Sequence, residues 1–199
     1  MRIADCDVFR KSEALNLGAE AAITMYNAVQ LCFLDSDTLI EKGFTQWARE
    51  HATEGRFFVF ESAGSKRDLY GVLLVSTRDY LDSGGYCETF AGWGMEDLEM
   101  RLRLRLKCKV PYEYIPSALA NPLQHDDAMR TRFYAEKDKA KSERRNLALL
   151  RSNVKRWTGK DIMEIPAHDS VGDIRGLLRD TRQQTQNTSA VRFPWDPTR

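Results

Sequence analysis

Short apolar runs separated by amphipathic stretches predict that strands and helices alternate along this chain. Runs of a few apolar residues are too short for a buried helix, and the aromatic and β-branched residues within them favour extended backbone. We therefore predict buried strands at 29–34, 57–60 and 70–76, and short extended segments at 111–116 and 163–166.

Apolar residues at intervals of three and four predict the helices. The first begins near Ser12, a suitable N-cap, and carries Leu15 and Ala19 on one face. Asn16 and Gly18 are weak helix formers in its first turns, and indicate either fraying or a backbone that approaches another group closely. The other predicted helices lie at 39–52, 78–83, 98–107 and 130–150.

The segment 98–107 is locally ambiguous. Leu102, Leu104 and Leu106 alternate with arginines as in a strand, whereas Leu98, Leu102 and Leu106 repeat every four residues as in a helix. Acids precede the run and bases end it, which complements a helix dipole, so we predict a helix. Its basic side chains are expected to form a solvated face.

Composition and charge narrow the class of protein. The 199 residues suit one domain with a tail, and the apolar fraction of 42% is enough for a core. A formal charge of +1 argues against a general nucleic-acid or membrane-surface role, and no apolar run is long enough to span a bilayer. The N-terminus lacks a signal-peptide pattern, and four widely spaced cysteines fit reduced thiols, so we expect a cytoplasmic protein.

The stretch 90–97 carries the clearest candidate chemistry. Trp93 offers a flat apolar face to a sugar ring, Gly94 permits close approach, and the adjacent acids Glu96 and Asp97 precede a predicted helix. An Asp in such a place can act as a general base. Acids are also favoured in a first helical turn by the dipole alone, so this motif needs further support.

That support comes from two other polar segments. Asp35 and Asp37 follow a predicted buried strand, where open α/β sheets bind ligands, and their hard oxygen atoms suit Mg²⁺ or Mn²⁺. The alternative is an ordinary turn, because Asp and Ser are common turn residues. His125 follows a turn signal and could complete a metal shell as a neutral imidazole, although a lone His is usually not a ligand.

Taken together, these segments resemble the β-1,4-galactosyltransferase family of inverting, metal-dependent glycosyltransferases with the GT-A fold. The resemblance runs over about 9–150 and departs from the family at Lys11, Met95 and Pro122. The matching motifs, in chain order, are Phe9-Arg10-Lys11, Leu15-Asn16-Leu17-Gly18, Asp35-Ser36-Asp37, Tyr70-Gly71-Val72, Gly85-Tyr86, Trp93-Gly94-Met95-Glu96-Asp97 and His125.

The resemblance implies an α/β fold, namely the GT-A mixed sheet flanked by helices. In this family two strand–helix units precede the Phe-Asn-Arg segment and hold the nucleotide base, whereas here only eight residues precede Phe9. We therefore expect an N-terminally incomplete GT-A domain at 1–165. This would be a truncated gene product, a wrongly chosen start, or one half of a split enzyme whose partner chain supplies the missing half. The polar remainder, 166–199, is expected to be a mobile extension.

The resemblance also implies residue roles. Asp97 would be the base that deprotonates the acceptor hydroxyl, and Glu96 would hold sugar hydroxyls beside it. Asp37 and His125 would bind Mn²⁺ or Mg²⁺, the His ligand favouring Mn²⁺. The donor would be a nucleotide diphosphate sugar such as UDP-galactose, and the acceptor a glycan or another hydroxyl compound. The residues expected to contact the donor are Lys11, Asn16, Asp35, Trp93 and Gly94.

Two alternatives remain at this stage. One is a degenerate or split half of a glycosyltransferase that binds a sugar or a partner protein without catalysis. The other is an interaction protein that uses the basic segment 101–109. Retention of the full set of acids together with His125 favours the enzyme.

Overall fold

The computed structural model describes residues 8–61, 69–123 and 131–166, together with Asp169 and Val171. Within this part of the chain a mixed sheet is flanked by helices, which confirms the predicted α/β class. The helices are α1 (Lys11–Tyr26), α2 (Phe44–His51), α3 (Thr77–Ser83), α4 (Glu96–Leu102) and α5 (Lys139–Thr158). The strands are β1 (Gln30–Phe33), β2 (Thr38–Ile40), β3 (Phe57–Phe60), β4 (Leu73–Ser76), β5 (Tyr112–Ile115) and β6 (Ala120–Pro122).

The main sheet has the strand order β1-β4-β3-β5. β4 pairs antiparallel with β1 and with β3, whereas β3 and β5 run parallel. The central strands β3 and β4 are buried along their whole length, which explains their continuous apolar sequence. A separate antiparallel ribbon joins β2 to β6. The strands predicted at 29–34, 57–60 and 111–116 are confirmed as β1, β3 and β5, whereas the strand predicted at 70–76 begins only at Leu73, because residues 69–71 form a 3₁₀ turn. The β2–β6 ribbon was not predicted.

The core occupies both faces of the sheet because side chains alternate along a strand. Phe57 and Val59 pack on the side of α1, and Phe58 and Phe60 pack on the side of α2. A third apolar cluster joins α4 to α5. The helices that carry the polar motifs are therefore anchored to the sheet or to each other.

Two helix boundaries differ from the prediction. α1 begins at Lys11 after Arg10, and Ser12 is buried within its first turn, so the predicted N-cap is wrong. The helix predicted at 130–150 instead runs from Lys139 to Thr158. Asp138 caps its start by accepting a hydrogen bond from the Lys141 amide, and Gly159 ends it in the left-handed conformation.

The segment 98–107 is helical as predicted, but it changes from α4 to a π-helical turn at Arg103–Lys107. The predicted solvated basic face is wrong, because Arg101 and Arg103 are only 1% and 7% exposed. Arg101 donates to the carbonyls of Tyr70 and Val72 and lies 4.0 Å from the centre of the Tyr70 ring. Buried guanidinium groups therefore fasten this helix to the loop before β4.

Other local predictions also changed. The segment predicted as extended at 163–166 contains a short 3₁₀ turn, Ile162–Glu164, which Asp161 caps. α1 continues through Gly18, whose missing side chain faces open space, so neither fraying nor close approach occurs there.

Asp169 and Val171 pack on the domain, and most of the predicted extension at 166–199 lies outside the described residues. None of the described helices combines the length and apolar character needed to cross a membrane.

Candidate functional site

Three elements bring one lysine and three acids together. Lys11 begins α1, Asp35 follows β1, and Glu96 and Asp97 begin α4. The Lys11 Nζ atom lies 2.8 Å from Asp35 Oδ1, 3.1 Å from Glu96 Oε1 and 2.7 Å from Asp97 Oδ2. We call these four residues the Lys11 cluster. The structure thus unites four of the residues named from the sequence.

Burial and charge set the protonation of the cluster. Burial would lower the pKa of Lys11, but the charges of Asp97, Glu96 and Asp35 outweigh it and hold that pKa well above its usual value. The pKa of Asp97 is raised to about 8, chiefly by burial and also by Glu96 and Asp35, against the opposing effect of Lys11. Three acids share one ammonium group, so the excess negative charge favours proton uptake by Asp97 near neutral pH.

Two oxygen atoms of the cluster have spare acceptor capacity. Glu96 Oε2 and Asp97 Oδ1 are buried and have no hydrogen-bond partner among the described residues. Buried polar atoms are normally paired, so these unpaired carboxylate oxygens keep the capacity to accept a hydrogen bond from a donor outside the chain. A hydroxyl group is the natural complement of such an oxygen.

A glycine makes room for Asp35. Any Cβ at Gly71 would overlap the Asp35 carboxylate, so the acid can only lie against bare backbone. The neighbouring carbonyl of Tyr70 is held by the buried Arg101. Gly71, which the sequence showed only as part of the Tyr70-Gly71-Val72 motif, therefore accommodates an acid of the site itself.

The loop that carries Trp93 and Gly94 is held by α5. Asn146 Nδ2 lies within 3.1 Å of Ala91 O and 2.8 Å of Gly94 O, and it is also close to the carbonyl of Trp93. Ser142 Oγ accepts a hydrogen bond of 2.9 Å from the Trp93 amide. Sequence analysis missed these α5 residues, because their distance along the chain gave no local signal.

Trp93 and its neighbours are only partly accessible to a ligand. The Trp93 ring is half-buried, and Lys139 Nζ lies 4.2 Å from its centre. Gly94 and Met95 both have positive φ, at 95° and 76°. Met95 stands where the resembled family has glycine, so this chain carries local backbone strain directly before Glu96.

The Asn16 side chain is half-buried, and its polar atoms are already hydrogen-bonded within the chain. Its Nδ2 donates to Tyr86 O and to Glu88 Oε1, and its Oδ1 accepts from the Tyr80 hydroxyl and the Tyr86 amide. The side chain therefore ties α1 to the loop after α3. Its predicted contact with a donor stays a prediction.

Of the two predicted metal ligands, Asp37 lies at the β2–β6 ribbon. Asp37 directly precedes β2, and its carbonyl accepts a hydrogen bond of 2.7 Å from the Leu123 amide at the end of β6. His125 lies outside the described residues. Among the residues that are described, no group of three or more His, Cys, Asp or Glu side chains is arranged to hold a metal ion.

Comparison with known proteins agrees with the motifs at α4. Residues 63–126 match the family described as the N-terminal domain of galactosyltransferase. The matched span includes Gly71, Glu96, Asp97 and the sequence position of His125, whereas Lys11 and the two acids after β1 precede it. No curated protein matches the chain significantly. Over residues 63–126 the chain is thus similar to the galactosyltransferase family.

Proposed function

We propose that this protein is a metal-dependent glycosyltransferase that moves a hexose of the galactose type from a nucleotide diphosphate sugar to an acceptor hydroxyl with inversion. The observation that carries the proposal is the environment of Asp97. This carboxyl group begins α4 within the galactosyltransferase-like segment, is mostly buried, and has a raised pKa.

Asp97 has the properties of a general base. Its Oδ2 atom is held by Lys11, whereas its Oδ1 atom has no hydrogen-bond partner among the described residues. A pKa of about 8 makes this carboxylate a stronger proton acceptor than an exposed aspartate. Glu96, with its own unpaired oxygen, would hold a neighbouring sugar hydroxyl.

The reaction would be a single displacement. Asp97 takes the proton of the acceptor hydroxyl while that oxygen forms a bond to the anomeric carbon. The bond from this carbon to the diphosphate breaks on the opposite face, and the diphosphate leaves with the electron pair. Attack opposite the leaving group inverts the anomeric configuration.

Asp37 and His125 would hold Mn²⁺ or Mg²⁺. A backbone hydrogen bond joins Asp37 to Leu123, and Leu123 lies two positions before His125 in the sequence. This proximity supports a shared metal site for Asp37 and His125. A carboxylate and an imidazole are suitable ligands for Mn²⁺, and a bound cation would neutralise charge on the departing diphosphate. Lys11, Asp35, Trp93 and Gly94 would contact the donor, such as UDP-galactose, and Asn16 would support them.

Calorimetry and transfer assays with UDP-galactose test the proposal. We expect binding with Mn²⁺ that EDTA abolishes and that Asp37→Ala removes. Asp97→Asn should retain donor binding but lose about 100-fold to 10,000-fold in transfer rate, because the base is absent. Asp82→Asn, a charge-matched change at an exposed site, should transfer at the wild-type rate.

The product and the controls separate the alternatives. NMR spectroscopy of the product should show the opposite anomeric configuration to the donor. Donor binding by the wild type without transfer to any acceptor would instead favour the non-catalytic alternative. Wild-type transfer rates in Asp97→Asn would contradict the assignment of the base.

A further inference from the structure

A cleft lies between α5 and the helix formed by α4 and its π-helical turn. We call it the second cleft, because it lies apart from the Lys11 cluster. We propose that this cleft binds a small sugar that carries an oxyanion group. Its volume is about 620 Å³, within the range of roughly 300–1,000 Å³ typical of small-molecule sites. The residues that line it and enter the argument are Glu88, Glu99, Arg103, Lys107, Asn153, Arg156 and Trp157.

The cleft is separate from the Lys11 cluster. Asp97 and Glu99 are two residues apart on α4, and two residues of an α-helix correspond to a rotation of about 200°. Asp97 faces Lys11, whereas Glu99 lines the cleft. One helix therefore presents acids to two sites on opposite faces.

A buried polar network forms one wall of the cleft. Arg103 Nη2 donates to Glu99 Oε2 over 2.8 Å, and Asn153 Nδ2 donates to Glu99 Oε1 over 3.3 Å. All three side chains are more than nine-tenths buried. Arg103 Nε is also buried and has no hydrogen-bond partner among the described residues. This network fixes the guanidinium group of Arg103 beside the cleft.

The remaining charges favour an anion. Glu99 is paired with Arg103, and Glu88 accepts a hydrogen bond from Asn16. Lys107 and Arg156 add two exposed cations, and in the described part of the chain neither forms an ion pair. Because Arg156 donates to the side-chain oxygen of buried Asn153, its guanidinium group is held at the cleft. Arginine and lysine at such positions suit carboxylate or phosphate oxygens.

The other lining side chains suit a sugar ring. Trp157 is partly buried against the apolar cluster of α4 and α5, so its indole is fixed and still accessible. A fixed indole offers an apolar face, while its neighbours offer amide and carboxylate hydrogen-bonding groups. This combination favours a ring with hydroxyl groups over a bare ion.

Calorimetric titration of the whole protein with glucuronate tests the proposal, with glucose and inorganic phosphate as comparison ligands. We expect glucuronate to bind, and glucose and phosphate each to bind at least about tenfold more weakly. Glucose lacks the carboxylate group, and phosphate lacks the sugar ring. Arg156→Gln and Lys107→Gln should each weaken glucuronate binding by about tenfold. Lys155→Gln, a matched change on the same helix outside the cleft, should alter it less than twofold.

Each outcome decides the proposal. Asp97→Asn should bind glucuronate like the wild type, which would separate this cleft from the proposed catalytic site. Equal weakening by Lys155→Gln would indicate general charge attraction and overturn the proposal. It is likewise overturned if glucuronate gives no binding heat, or if phosphate binds as tightly as glucuronate. Thermal melts would establish that every variant is folded.

Discussion

Lys11 supplies the positive charge that three buried acids share. We predict that Lys11→Met lowers the free energy of unfolding by about 3–5 kcal/mol at pH 7, because it leaves the carboxylates without their ammonium partner. The loss should shrink at pH 5, because Asp97, whose pKa is raised to about 8, takes up a proton more readily there. Urea denaturation at both pH values measures it.

Lys11→Arg is the matched control for charge. It keeps the positive charge while changing the geometry, so it should retain more stability than Lys11→Met. A loss in Lys11→Met that is the same at both pH values would mean that Lys11 acts through packing alone.

The raised pKa of Asp97 should make the free energy of unfolding decrease as the pH rises. Its pKa is raised from 3.8 to about 8 in the folded protein, so between these values the folded state binds more protons than the unfolded state. The free energy of unfolding therefore decreases with rising pH across this window. Asp97→Asn should remove that part of the slope, whereas exposed Asp82→Asn should leave it intact. Denaturation curves from pH 4 to pH 8 would reveal an unchanged slope if the assignment is wrong.

Gly71 should be intolerant of even one methyl group. A Cβ there would overlap the Asp35 carboxylate and force it away from Lys11. We predict that Gly71→Ala weakens nucleotide-sugar binding, measured by calorimetry, and lowers stability. Gly18→Ala is the contrasting control, because open space surrounds that position within α1 and alanine should stabilise the helix by about 1 kcal/mol. Equal effects of the two substitutions would contradict this account.

At the residue scale, sequence indicated the acids but not their arrangement. Asp35, Glu96 and Asp97 stood out because each lies beside a strand end or a helix start. The sequence predicted Lys11 only as a donor contact, because its link to Asp97 spans 86 positions and leaves no local pattern. Buried Arg101 and Arg103 escaped prediction for the same reason, since the carbonyl partners of Arg101 lie 31 and 29 positions upstream and that of Arg103 lies 20 positions upstream.

At the scale of elements, α5 holds the loop that leads into α4. Asn146 is fully buried and donates to loop carbonyls. We predict that Asn146→Ala lowers the free energy of unfolding by about 2–3 kcal/mol, because buried carbonyls lose their donor. It should also slow transfer, since the loop fixes the start of α4. Arg144→Ala, an exposed change on the same helix, should alter stability little in the same urea titration.

The elements themselves were predictable where the signal was local. The all-apolar run predicted at 57–60 coincides with β3, and the helix predicted at 78–83 is α3, which begins one residue earlier at Thr77. α5 was misplaced because its long charged sequence contains few apolar residues to set its limits. The ribbon of β2 and β6 was missed because each strand has only three residues and gains its partner from a distant part of the chain.

At the scale of the molecule, the chain beyond α5 completes the core. Val171 is fully buried among the residues between α1 and the sheet, and its carbonyl accepts a hydrogen bond from the Tyr70 hydroxyl. We predict that Val171→Ala costs about 2 kcal/mol in the free energy of unfolding, because buried apolar surface is lost. Chemical denaturation measures this, and wild-type stability in the variant would show that the contact contributes nothing.

The burial of the Lys11 cluster has a consequence for how the protein responds to ionic strength. Dissolved ions screen exposed charges strongly, with a Debye length of about 8 Å at physiological ionic strength, but reach buried pairs much less. The attractions that hold α1, β1 and α4 together should therefore persist in concentrated salt. The exposed cations of the second cleft would be screened under the same conditions, so salt separates the electrostatics that stabilise the fold from those that attract a ligand.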